Sequence, residues 1–252
     1  SRLTMLCVAL LLLVVSFLAD QRLLRKLRIG LFLITGLIMC IPPPRAENVV
    51  LDQDTQYAHY QVIAQDFLDT PAYLLTNTNR SAQSASAISD PDKMLFSYTQ
   101  RFMDIADRVQ PSTVLSIGGG TYTFPSAFIR RFDTATIDVV EIDAGLDSIA
   151  ERYFWYKPDD RLSLHHEDGR TFLNRATDQY DLIYLDAFSD RSIPFQLATL
   201  ESMQHVSRLL GDSGFAVINV IARWNSSTVE DEYINRFVAT VRSAMPNVAL
   251  IC

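Results

Sequence analysis

Gly118, Gly119 and Gly120 close the apolar run Val114-Leu-Ser-Ile117, and Glu141 closes a second apolar run 21 residues after Gly120. Glu167-Asp168-Gly169 follows a third run, and Asp186-Ala-Phe-Ser-Asp190 a fourth. Glycines let a backbone approach a ligand closely, and an acid about 20 residues further on accepts hydrogen bonds from ribose hydroxyls. This spacing implies a nucleoside-bearing cofactor. Thr123 stands where the dinucleotide fingerprint Gly-x-Gly-x-x-Gly needs its third glycine. That turns the reading from a pyrophosphate-bearing dinucleotide toward a cofactor of the S-adenosylmethionine type. Carboxylates gathered at neighbouring strand ends repel one another, so stability alone explains three of them poorly. For Asp168 taken alone, a helix N-cap is the alternative, because Gly169-Arg-Thr-Phe172 follows it. Asp143, in a turn, and Asp181, at a strand start, read as structural.

Elements must hold these groups together. After Gln110-Pro111, strand patterns at 113–117, 136–142, 162–166, 181–186 and 215–221 alternate with helical ones near 124–132, 145–153, 169–176, 196–210 and 229–245. Such alternation predicts a mostly parallel sheet covered on both faces, with ligands beyond the carboxyl ends of its strands. Residues 55–88 read as short strands: Tyr57, His59, Gln61 and Ile63 alternate with Ala58, Tyr60, Val62 and Ala64. Pro71 to Leu75 returns, and Asn77-Thr-Asn79 is a turn. A helical pattern starts at Asp90-Pro91 and carries Met94, Phe96, Tyr98, Phe102 and Ile105 on its apolar side.

The chain has 252 residues and a formal net charge of −7. The charge is uneven. Residues 1–50 hold six Lys and Arg against Asp20 and Glu47, a net of +4, and the remainder carries −11. An acidic domain argues against nucleic acid as a partner and is compatible with a cationic substrate. Cys7, Cys40 and Cys252 have neither metal-ligand spacing nor the pattern of a disulfide framework. The chain begins with Ser, and residues 247–252 read as a strand cut short, so a fragment at both ends is expected.

Residues 3–19 and 29–44 are uncharged and apolar. Each would cover roughly 25 Å as a helix, slightly less than the ~30 Å hydrocarbon core, so flanking residues must contribute to a span. A signal peptide is the alternative for the first run, but a second run follows and no small-x-small cleavage site precedes Asp20. The expectation is an integral membrane protein that meets lipid through two helices and ends its membrane part at the stiff linker Pro42-Pro-Pro-Arg-Ala46. The basic loop Gln21–Arg28 would face the cytoplasm, which would put the rest of the chain on the opposite face. Further helices upstream would change that topology, so the side stays open. The domain expectation is 1–46 transmembrane hairpin and linker, 47–90 small β-domain, and 91–252 Rossmann-like domain lacking its last strand.

Taken in order, Tyr98-Thr-Gln, Val114-Leu-Ser-Ile-Gly-Gly-Gly, Val140-Glu-Ile-Asp, Glu167-Asp-Gly-Arg, Tyr180-Asp-Leu-Ile-Tyr-Leu-Asp-Ala-Phe, Ile193-Pro and Leu197-Ala-Thr resemble the spermidine synthase family of aminopropyltransferases, in particular its membrane-fused branch. The resemblance runs from about Asp54 to the end. It implies a small N-terminal β-domain before a methyltransferase-type α/β sheet, with decarboxylated S-adenosylmethionine (or S-adenosylmethionine itself) as cofactor, no metal, and a small-molecule amine as substrate. It also allows a homodimer, since members of that family often dimerise. By position it assigns Gly118, Gly119 and Gly120 to the cofactor site, Glu141 to the ribose hydroxyls, and Asp168 with Gly169 to the adenine amino group. Asp186 becomes the general base, and Tyr98 and Asp190 line the amine site. For Tyr98, a core aromatic on an amphipathic helix is the alternative.

The chain also departs from the family. The usual Gly-Gly-Gly-Asp-Gly is Gly118-Gly-Gly-Thr121-Tyr122, the glutamine of the first β-strand falls at Ala58, and Leu-Asp-Gly reads Leu75-Thr-Asn77. Asp186 and Asp190 are four apart, where the family's two gate acids are three apart. Three functions follow. The first is aminopropyl transfer to an amine, as in polyamine biosynthesis. The second is methyl transfer from intact S-adenosylmethionine, which the loss of an acid at Thr121 favours. The third is a non-catalytic membrane protein that senses a nucleoside or polyamine.

Overall fold

A computed structural model describes residues 48–77, 82–187, 193–220 and 228–249, with no side-chain detail at 228–231. Four antiparallel strands come first, β1 (Val49–Asp54), β2 (His59–Phe67), β3 (Thr70–Asn77) and β4 (Ala82–Ala87), paired in chain order. Next come α1 (Ser97–Val109), β5 (Thr113–Ile117), α2 (Thr123–Arg131), β6 (Thr136–Val140), α3 (Leu146–Tyr153), β7 (Leu162–His165) and α4 (Gly169–Arg175). Strand β8 (Tyr180–Leu185), α5 (Leu200–Leu209), β9 (Leu210–Ile218) and α6 (Thr228–Ala244) complete the described part.

The second sheet is parallel throughout and ordered β7-β6-β5-β8-β9. This is the parallel α/β sheet that the sequence pattern implies, of the Rossmann-like, methyltransferase type that the family resemblance implies. Its central strands β5 and β8 bury both faces, so alternate residues feed different cores. Leu115, Ile117, Ile183 and Leu185 pack with Phe172, Leu173, Met203 and Val206 on one side. Val114, Val139, Leu182 and Tyr184 pack with Phe102, Phe124 and Phe128 on the other. At about 1.5–3 kcal/mol per fully buried large apolar side chain, these layers are the main stabilising term. The order reverses between β5 and β8, and ligands of open α/β sheets bind at that switch point.

The antiparallel sheet joins this body through Val62 and Leu75, which pack on Leu146, Ile149 and Phe154. Polar ties reinforce the contact. Thr55 Oγ1 donates to Asp143 Oδ2 at 2.5 Å, and Trp155 Nε1 donates to the Ala87 carbonyl at 2.9 Å. Asp143, 2% exposed, also accepts from the Gly145 amide at 3.0 Å. Asp181 accepts from the Ser112 and Thr113 amides at 2.8 and 3.0 Å. Both acids are structural, as the sequence suggests.

Two sequence expectations need correcting. The first helix starts at Ser97 rather than Asp90. The Asp90 side chain accepts the Asp92 amide at 3.0 Å and makes a turn, while Met94 and Leu95 are buried as irregular chain. Of the strand expected at 247–252, residues 247–249 form none, and 250–252 lie outside the described residues. The apolar runs 3–19 and 29–44 lie outside the described residues, and among those described no helix is long and apolar enough to cross a membrane.

Candidate active site

The site is assembled where β5 and β8 separate. Beyond β5 the chain turns sharply, with Gly118 at φ +94° and Gly120 at φ +52°. A Cβ on Gly118 would lie 2.6 Å from the Asp186 carbonyl oxygen, so only glycine lets the β5 and β8 ends meet this closely. Hydrogen bonds extend the ladder past the strand ends. Asp186 N donates to Ile117 O at 2.8 Å, and Asn219 N donates to Leu185 O at 2.9 Å. Asp186 and Asn219 are thereby held side by side on rigid backbone.

Asn219 Nδ2 donates to Asp186 Oδ1 at 2.9 Å, and the Tyr98 phenol of α1 hydrogen-bonds the same carboxyl group. Burial pushes the Asp186 carboxyl up to about 7, and the bonds from Asn219 and Tyr98 offset part of that rise. Burial, then the neighbouring Asp186 charge, holds the Tyr98 phenol well above its ordinary value. Tyr98 also stacks on Phe96 and meets Phe102 edge-on, at ring-centroid distances of 5.7 and 5.5 Å. The core-aromatic reading describes the Tyr98 ring, which packs in an aromatic row, while its hydroxyl faces Asp186. A cavity of about 30 Å³, lined by Asp186, Tyr98, Gly118, Phe102, Ser84 and Thr123, adjoins the carboxyl group. It has room for about two waters. Ser84 comes from β4, so the antiparallel sheet supplies one wall.

Beside this cavity the glycine loop and Glu141 form a second cluster. Glu141 Oε2 accepts the Gly119 and Gly120 amides at 3.0 and 2.8 Å, and Oε1 accepts the Asp143 amide at 3.0 Å. A carboxylate offers about four acceptor directions. Three are engaged, which leaves about one for a ligand hydroxyl. Tyr60, beside Asp143, has its phenol raised by burial first and then by the Asp143 and Glu141 charges.

Asp168 sits one strand further out and caps α4. Its Oδ1 accepts the Thr171 amide at 3.0 Å, while among the described residues Oδ2 receives only a long 3.4 Å bond from Gln196. A Cβ on Gly169 would meet Ile117 at 2.7 Å, so this glycine packs α4 against the sheet. Thr121, fully buried, donates its amide to Ser84 Oγ at 3.3 Å, and its hydroxyl pairs with that of Thr123 at 3.1 Å. Asp190 lies outside the described residues.

Gly118, Tyr98 and Asp186 are thus together, Gly119, Gly120 and Glu141 form the adjoining cluster, and Asp168 with Gly169 stands at the margin. Asn219 was not anticipated. It lies 33 residues from Asp186, carries no motif, and falls inside the strand expected at 215–221, whereas β9 ends at Ile218. Among the described residues no group of three or more His, Cys, Asp or Glu is placed to hold a metal ion. What the arrangement offers is a buried carboxyl group able to exchange a proton near neutral pH beside a glycine turn.

A model of the spermine/spermidine synthase domain matches residues 95–252. A polyamine aminopropyltransferase of Vibrio vulnificus (strain CMCP6) is 31% identical over 158 residues, which cover 55% of this chain and 53% of that protein. An eEF1A lysine and N-terminal methyltransferase homolog of Drosophila melanogaster is 30% identical over 122 residues, 45% of this chain and 18% of its own length. The chain thus spans about half the length, or less, of these curated relatives. The crystal structure of a probable spermidine synthase from Corynebacterium glutamicum ATCC 13032 superposes with a TM-score of 0.59 at 22% identity, covering 71% of this chain and 64% of that one. That last likeness is one of fold.

Proposed function

This chain belongs to the spermine/spermidine synthase family, and on that premise we propose that it transfers an aminopropyl group from a decarboxylated S-adenosylmethionine-type donor to a small-molecule amine. The observation that carries the reading is Asp186, a buried carboxyl group at the switch point with a pKa of about 7. An alkylammonium is not a nucleophile until it loses a proton. A base whose pKa lies near the working pH accepts that proton efficiently. The donor supplies a carbon activated by its sulfonium. As the amine nitrogen bonds to that carbon, the carbon–sulfur bond breaks, a neutral thioether nucleoside leaves, and the amine proton passes to Asp186. Tyr98 and Asn219 orient the carboxylate, Gly118 keeps it against the loop, and the small cavity limits water beside it.

The donor's nucleoside fits the second cluster in outline. Glu141 has about one free acceptor direction for a ribose hydroxyl, and Gly118–Gly120 let a ligand approach the backbone. Asp168 Oδ2 is lightly engaged and would accept from an adenine amino group beside Gly169. Asp190 would add a second charge to the amine site. Residues 3–19 and 29–44 would anchor the protein in a membrane, as in the membrane-fused branch, and a homodimer is compatible with this reading.

Methyl transfer is the second reading. Thr121 favours it, since that position presents a buried hydroxyl and no charge to discriminate against a carboxylated donor. Calorimetry on the full chain in detergent separates the two. Intact S-adenosylmethionine, its decarboxylated form and methylthioadenosine would each be titrated, with folding checked by circular dichroism. Preference for the decarboxylated form is expected. Preference for the intact form would move the assignment to methyl transfer, and no binding by a folded chain would defeat both.

A further inference from the structure

Tyr122 follows the glycine loop in left-handed backbone, φ 56° and ψ 22°, a conformation that β-carbon-bearing residues avoid. It is nevertheless fully buried, which is where its stabilisation comes from. Its ring packs on Tyr156 at 4.9 Å and covers Gly119 so closely that a Cβ there would lie 2.7 Å from Tyr122 Cε1. Its amide donates to the Gly119 carbonyl at 2.8 Å. Its phenol donates to Asp147 Oδ1 at 2.6 Å, and Asp147 Oδ2 in turn pairs with His166 Nε2 at 3.0 Å. The chain Gly119–Tyr122–Asp147–His166 thus ties the loop to α3 and to the end of β7.

We propose that Tyr122 is a positioning residue. Held by Asp147, and through it by His166, it fixes Gly119 and Gly120 so that their amides aim at Glu141, and so sets the affinity of the site for a nucleoside. The affinity clause rests on the nucleoside reading above, and the anchoring clause does not. This is a positional strain offset by burial of the residue that carries it, a pattern found where a loop must stay in one conformation.

The test uses the full chain and Tyr122→Phe, which keeps the ring and removes the phenol oxygen. Hydrogen exchange of the ligand-free protein should quicken roughly tenfold across residues 119–121 while β8 amides keep their rates, since a buried hydrogen bond is worth about that factor. Methylthioadenosine should bind roughly tenfold more weakly. Asp147→Asn, which keeps an acceptor oxygen, should show a smaller change on both readouts. Unchanged exchange at 119–121, or an equal rise in β8, overturns the anchor and leaves Tyr122 an ordinary core residue. A loosened loop in a protein whose wild type binds no nucleoside overturns the affinity clause together with the functional reading, and the anchor stands. Should Tyr122→Phe fail to fold, Asp147→Ala removes the same bond and is read by the same two measurements.

Discussion

Asp181 and Asp186 stand at opposite ends of β8, five residues apart, and the protein drives their acidities in opposite directions. Asp181 accepts two backbone amides and the Thr113 hydroxyl, bonds that hold its carboxyl group below the ordinary range. Asp186 is desolvated and among the described residues meets side-chain donors alone, and its carboxyl group rises to about 7. Backbone amides are structural partners, fixed by the fold, and a carboxylate that satisfies them is committed to it. A buried carboxylate held by an amide and a phenol is costly to the fold and retains the freedom to take a proton. The residue type and the strand are the same, so the environment alone separates a structural acid from a chemical one.

The largest expected effect on stability is at Asp186. Its folded pKa lies above the ordinary carboxylate value, so its contribution is fully present below about pH 4 and is lost as pH rises through about 7. Asp186→Asn removes that dependence. At pH 8 the variant should resist urea better than wild type by on the order of a few kcal/mol. A variant no more stable than wild type would mean that the carboxylate is not strained by burial. Asp181 should behave in the reverse sense, with its contribution present above the usual carboxylate range and lost as pH falls through its lowered folded value. Asp181→Ala should cost about 1–3 kcal/mol at pH 7, with the deficit shrinking in acid. A pH-independent deficit would point to lost packing instead.

A finer contrast lies among the partners of Asp186. Asn219→Ala removes a donor that favours the charged form, so the acid limb of the kcat/KM profile should move up by roughly one pH unit. An unmoved limb would show that Asn219 touches Asp186 without tuning it. The smallest effect is expected at Asp168, where Asp168→Ala should lower stability by about 1 kcal/mol through loss of the α4 cap. Nucleoside affinity measured on the same variant sharpens the comparison, because a fall would give Asp168 a ligand role beyond capping, and an unchanged value would confine it to the fold.

The parallel sheet was legible because its central strands β5 and β8 are buried on both faces and read as near-continuous apolar runs bounded by turns. β5 has the bounds the pattern implies, and Glu141 and Asp186, read within the ends of strands 136–142 and 181–186, fall one residue past β6 and β8. The antiparallel sheet was harder. β4, Ala-Gln-Ser-Ala-Ser-Ala, has little strand propensity and is set by its neighbours, yet it brings Ser84 to the cavity. The hairpin between β2 and β3 turns on Leu68 and Asp69, both with positive φ, where the usual glycine or asparagine signal is absent. Tyr122 hides for the same reason, since no local pattern announces a tyrosine in left-handed backbone. Asn219 is found only when β8 and β9 are laid side by side.

The central claim, that Asp186 is the base, is most directly tested by turnover and nucleoside binding of Asp186→Asn measured together. The account predicts a loss of turnover of roughly 10²-fold or more with methylthioadenosine affinity close to wild type. Turnover equal to wild type would contradict it.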